Sequence, residues 1–345
     1  MAYVAPSASL GLARRREMDA ALVSSVRIVL GEGQGPDGPA AAAASGPLHQ
    51  TTADRAGMLD YGAYFDLVLD IAGDGEGVLR IRRQAADYLR NRLPLLEGAE
   101  IEPASPQVTT LSPEFYSGED IARLIRWWDT EPEIMMALTG ASGDQLDLAR
   151  RNIGLALDYL RQCNPELFAE FQAIVAEIVV ACSGPGALTQ FTGGVTSFAL
   201  WGSVAVDAAS NDSWVRMYRS LVHEAGHNLL FAIAREEPLV ANDPGERFVS
   251  PLRTDLRPMD GVFHGAYVLV RESLALDSLL CWHEESGRLA LEEAALVHQL
   301  LGASVEAFWD CDAILLEQAR LTPLGDAILT ECESYMNANF ALEPA

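Results

Sequence analysis

The chain has 345 residues, with 24 Lys and Arg against 49 Asp and Glu, for a net charge of −25. That imbalance repels nucleic-acid phosphates and anionic membrane surfaces, so neither is an expected partner. No uninterrupted apolar run of about 18 residues occurs, which excludes a helical membrane span, and the five scattered cysteines, never in a CxxC spacing, read as reduced thiols of a soluble, cytoplasmic protein.

In chain order, residues 1–57 read as an irregular N-terminal segment. Arg14, Arg15 and Arg16 are not followed by the apolar stretch of a signal peptide. Residues 31–47 (GEGQGPDGPAAAAASGP) surround a short alanine run with Gly and Pro, which marks a loop. Residues 58–182 read as a helical subdomain, with helical periodicity at 58–71, 77–93, 118–138 and 144–182, the last broken at Asn164-Pro165. Adjacent residues cannot share a helix face, so of Trp127 and Trp128 one is expected in the core and the other partly exposed or at a subdomain contact. These N-terminal helices either bind a leader peptide or complete the core.

Residues 183–345 read as a metal-binding catalytic domain with C-terminal helices. The character changes at 183–209, where Gly, Thr, Val and aromatic residues dominate, and two or three strands are expected. An edge strand there could pair with an extended peptide, or the strands could be a covered structural sheet. A helix follows over 213–235, with apolar residues every three or four positions, Asn211, Asp212 and Ser213 as candidate caps, and Pro238 as a stop. Gly226 within it suits close packing against a strand. After a polar connection over 238–258, helical patterns return at 265–285, 289–320 and 323–335. The fold class is therefore α+β and mainly helical, with a small zincin-like sheet packed on the 213–235 helix and helices from both ends wrapped around it.

That helix carries His223-Glu224-Ala225-Gly226-His227. Two imidazoles four residues apart project from one helix face and can close on one metal ion, whereas two unpartnered histidines among Leu221, Val222, Leu229 and Leu230 would lack polar partners. Such a site needs a third protein ligand, for which His264 and Glu272 are the candidates. His264, between Phe263 and Gly265, is favoured. Glu272, two helical turns further on, is a ligand or a hydrogen-bond acceptor. A third histidine six residues beyond His227 is absent, Ile233 standing there, so the site is no metzincin. In a zinc peptidase with Glu272 as ligand, Glu224 would be the general base acting on metal-bound water.

Around the third ligand lie Arg253, Arg257 and Arg271, in a chain poor in cations. Arginine holds carboxylates in a bidentate fork, as a 2-oxo dicarboxylate beside an iron centre requires. Helical spacing lets Arg271 and Tyr267 point the same way as His264. The alternative is that Arg253 and Arg257 pair with Asp255 and Asp260 in a structural loop.

The combination HEAGHN followed by SPLRTDLRPMDGVFHGAY resembles the HExxH-motif peptide-modification proteins, 2-oxoglutarate-dependent peptide β-hydroxylases of ribosomal natural-product pathways. The resemblance covers residues 197–278. It implies Fe(II) held by His223, His227 and His264, with 2-oxoglutarate and O2 taking the remaining positions, and Glu224 beside the metal instead of acting as a hydrolytic base. It further implies hydroxylation of a β-carbon in a precursor peptide, with the cosubstrate carboxylate on Arg257 and Arg253 in reserve. Gly226 departs from the pattern, since many relatives carry a bulky or polar residue there. A zinc metallopeptidase is the alternative activity.

Overall fold

The structure, a computed structural model, describes residues 3–31, 56–97, 104–130 and 135–340, without the side chains of 253 and 254. Among the described residues it is mainly helical, with ten α-helices and a small mixed sheet. The chain divides into two compact units that do not follow the boundaries expected at 57 and 182. One comprises Leu12–Asp147 and Gln172–Ser210; the other comprises Met1–Gly11, Leu148–Phe171 and Asn211–Ala345.

The N-terminal stretch expected to be irregular instead carries helix α1 (Ala8–Leu30), whose Arg15, Met18, Leu22 and Val26 form a buried stripe at helical spacing. The Gly-, Pro- and Ala-rich loop falls largely outside the described residues. In the first unit, α2 (Met58–Val68), α3 (Gly75–Leu96) and α4 (Gly118–Trp128) accompany a sheet of strands β1 (Gln107–Thr110), β2 (Leu138–Gly140), β3 (Glu177–Ser183), β4 (Gly194–Val195) and β5 (Ser203–Asp207). Strands β1, β3 and β5 are parallel, while β2 and β4 run antiparallel on β3 and β5. Residues 177–182, expected to end a helix, are strand. After Glu177, IVVA (178–181) is a continuous apolar run, and Ile178, Val179, Val180 and Ala181 are fully buried, as in a strand covered on both faces. Trp127 and Trp128 are both buried, so neither is the partly exposed one; the Trp127 indole donates to Asp66 at 3.0 Å.

The second unit holds the HExxH helix. The remaining helices are α5 (Gly143–Cys163) and α6 (Pro165–Ile174), broken at Asn164 as the sequence predicts, then α7 (Trp214–Ile233), α8 (Met259–Ser286), α9 (Leu291–Gln318) and α10 (Pro323–Phe340). Ser213 caps α7, its hydroxyl accepting from the Arg216 amide. The connection before α8 is not all loop: β6 (Phe248–Ser250) and β7 (Arg253–Arg257) pair as an antiparallel hairpin. Pro258 then opens α8, and Gly287, at φ 64°, closes it in the left-handed conformation. Helix α7 packs on α8, and α8 on α9. Gly226 serves the first contact, because a Cβ there would stand 3.1 Å from Val268 Cγ1. Its neighbour is thus a helix and not the strand expected. No helix among the described residues is long and apolar enough to cross a membrane.

Candidate metal centre

Helix α7 places His223 and His227 one turn apart with ring centroids 4.9 Å apart, and their Nε2 atoms face each other at 3.2 Å. Metal–nitrogen bonds of about 2.0–2.1 Å put adjacent ligand nitrogens roughly 3.0–3.4 Å apart in octahedral or tetrahedral sites, so this pair has the spacing of two ligands of one ion. His264, near the start of α8, lies against the same group. Its Nδ1 is 3.2 Å from His227 Nδ1, and the two rings are nearly parallel. Phe231 covers it with a centroid separation of 4.9 Å.

His227 therefore offers one ring nitrogen to His223 and the other to His264. Among the described residues, no group of three or more His, Cys, Asp and Glu side chains stands so that it could hold a metal ion. The chemistry of the donors and the spacing of His223 with His227 fit an ion; bringing His264 to that same ion requires rotation of its side chain.

Protonation follows from burial and neighbours. Burial, then the nearby His223 and His264, hold His227 well below the ordinary histidine range, which leaves it a neutral imidazole with a lone pair. Burial also lowers His264, against the opposing charge of Asp260. His223 goes the other way. Burial pulls it down, but the hydrogen bond and charge of Glu272 outweigh that and raise it.

Glu272 is the feature that sequence reasoning left open, and both oxygens of its carboxylate accept hydrogen bonds. Oε1 lies 2.5 Å from His223 Nδ1; Oε2 accepts from Arg219 Nε at 2.9 Å and from the Ser304 hydroxyl at 2.6 Å. The side chain has no solvent exposure. Burial pushes the pKa of this carboxyl up, but the His223 bond and the Arg219 charge outweigh that and bring it down to about 2. It is an ionised acceptor that orients His223, the arrangement by which carboxylates steer metal-binding imidazoles. Arg219, four residues before His223 on α7, was detectable by its spacing alone; Ser304, on α9, had no local signal.

Glu224 is buried, 4% exposed, not on a wet helix face, and its charge acts on both His223 and Arg219. The predicted cosubstrate residues divide. Arg257 Nη1 donates to Asp255 Oδ2 at 3.2 Å, the structural pairing that was the alternative for this loop. The Arg253 side chain lies outside the described residues. Arg271 and Tyr267 are corrections to the expected cosubstrate site. Arg271 donates to the Val4 carbonyl at 2.6 Å and forms an ion pair with Glu170, while the Tyr267 hydroxyl donates to the Tyr3 carbonyl at 2.8 Å. Both polar tips are committed to holding the N-terminal segment, because a buried guanidinium needs a buried counter-charge and Glu170 supplies it.

No protein-family model and no curated protein matches this sequence.

Proposed function

We propose that this chain is a metal-dependent oxygenase, an Fe(II)- and 2-oxoglutarate-dependent β-hydroxylase of a ribosomally made precursor peptide, on a zincin-like arrangement of the HExxH helix. The observation that carries the metal reading is the facing pair of Nε2 atoms on His223 and His227, with Glu272 bonded to the far nitrogen of His223. Bound iron would supply activation of O2. His223 and His227 bind through Nε2, and His264 is the third ligand after side-chain rotation.

The engagement of Glu272 favours this over the peptidase. A carboxylate already accepting from His223, Arg219 and Ser304 is engaged in orienting His223, which speaks against its serving as the third ligand that the peptidase reading requires. His264 takes that place. The cosubstrate's distal carboxylate is assigned to Arg257, which would exchange its bond to Asp255 for a bidentate one. The peptide reaction itself rests on the motif resemblance: peptide C–H, 2-oxoglutarate and O2 become peptide C–OH, succinate and CO2.

Anaerobic reconstitution with Fe(II) followed by O2 tests this, with succinate as the readout and a Zn(II) sample given generic peptides alongside. Oxygen-dependent succinate, even uncoupled from a peptide, supports the oxygenase. Peptide cleavage by the zinc form without any succinate would establish the peptidase instead.

A further inference from the structure

We propose that Arg219 and Ser304 are positioning residues, which hold the Glu272 carboxylate from two different helices so that His223 keeps its proton on Nδ1 and turns a bare Nε2 toward His227. The inference deepens the metal reading and rests on it for its purpose, though not for its geometry.

Three helices meet at this one carboxylate. Arg219 and His223 come from α7, Glu272 from α8 and Ser304 from α9. Burying a charged carboxylate is costly unless its lone pairs are filled, and here each oxygen is assigned. With Oε2 pinned by Arg219 and Ser304, only Oε1 remains for His223, and its 2.5 Å contact sets the ring orientation. Ser304 is 2% exposed in the middle of a helix, where its hydroxyl has its own Leu300 carbonyl at 3.0 Å as a local partner. Its shorter contact goes instead to Glu272, at 2.6 Å. Arg219 is 39% exposed, so it reaches inward from the surface and closes the other side. An imidazole whose Nδ1–H is held by an ionised acceptor has a single tautomer, and the nitrogen that remains basic is the one facing the second histidine.

The test uses the full-length, metal-free chain. Long-range 15N NMR of the imidazoles at alkaline pH reads the tautomer, and competition with a chromophoric chelator reads the affinity for Zn(II) alone. The wild type should show His223 protonated on Nδ1. Glu272→Gln should mix the tautomers and weaken Zn(II) binding about 10–100-fold, the usual range for removing such an orienting partner. Ser304→Ala should weaken it by a smaller factor, and in the Glu272→Gln background should change it no further, because Ser304 acts through Glu272. Arg219→Gln should behave as Ser304→Ala does. Fixed Nδ1 protonation in Glu272→Gln, or a Ser304→Ala effect that persists in full without Glu272, would overturn the positioning role. If the wild-type chain binds no Zn(II), the metal reading fails, and the tautomer measurement alone still decides whether the clamp exists.

Discussion

Two buried ion networks leave helix α8 from adjacent residues, Arg271 and Glu272, which are 2% and 0% exposed. The first closes on itself. Arg271 meets Glu170 and the Val4 carbonyl, Tyr267 meets the Tyr3 carbonyl, and Glu331 accepts the amides of Tyr3 and Val4 at 2.7 and 2.8 Å. The second runs from Arg219 and Ser304 through Glu272 to an imidazole that has another nitrogen left over. A guanidinium stays charged and offers no lone pair, so the Arg271 network ends in a fixed anchor. An imidazole can bind at one nitrogen while being steered at the other, so the Glu272 network has an open end. Buried charge by itself does not mark a site; a remaining coordinating atom does.

The largest expected effect would break the anchor alone. Arg271→Met leaves Glu170 buried without its cation, which should cost about 3–5 kcal/mol of stability. Urea unfolding measures this, and Zn(II) affinity of the folded protein should stay unchanged; a parallel fall in affinity would show that the two networks are one. His227→Ala makes the reverse cut. It should abolish Zn(II) binding at micromolar protein while removing no more than about 1–2 kcal/mol of stability. A variant that binds as before would remove His227 from the site.

Next in size is the contact between α7 and α8, across which Glu272 reaches Arg219 and His223. Gly226→Val places a branched side chain where even a Cβ comes within 3.1 Å of Val268 Cγ1, and should cost about 1–3 kcal/mol in thermal or urea unfolding. Gly226→Ala gains about 1 kcal/mol in helix propensity against a smaller clash and should come out near neutral. A neutral Gly226→Val would mean that α7 and α8 separate freely there.

What the sequence disclosed follows the same division between local and distant causes. The α7 helix, its Ser213 cap, the break at Asn164 and the pairing of His223 with His227 depend on residues within one or two turns, and periodicity reports such neighbours. Strand β3 was misread because its stretch IVVA (178–181) is apolar at every position and fits a buried helix as well as a buried strand. The stripe through Arg15, Met18, Leu22 and Val26 in α1 was there to be read, but a buried arginine interrupts its apolar character. Arg271 and Tyr267 have the spacing expected of them. Their partners lie about 100 and 260 residues away, and no local pattern carries that information.

The smallest effect concerns another buried carboxyl in the same unit, one that faces an acidic neighbour. Asp312, on α9, is 6% exposed, its Oδ1 has no hydrogen-bond partner, and Glu333 of α10 stands beside it. Burial, then the charge and hydrogen bond of Glu333, push it from 3.8 up to about 6. The folded protein therefore holds this proton more tightly than the unfolded chain does. Its contribution to stability is complete below about pH 4 and is lost as pH rises through 6. Asp312→Asn should flatten that part of the profile, matching the wild type near pH 5 and exceeding it at pH 8 by on the order of 1 kcal/mol. Thermal unfolding across pH 5–8 measures the difference. Equal slopes in the two proteins would place Asp312 with Glu272, as a carboxylate stabilised in its charged form, and would mean that burial without a cation is no bar to ionisation in this unit.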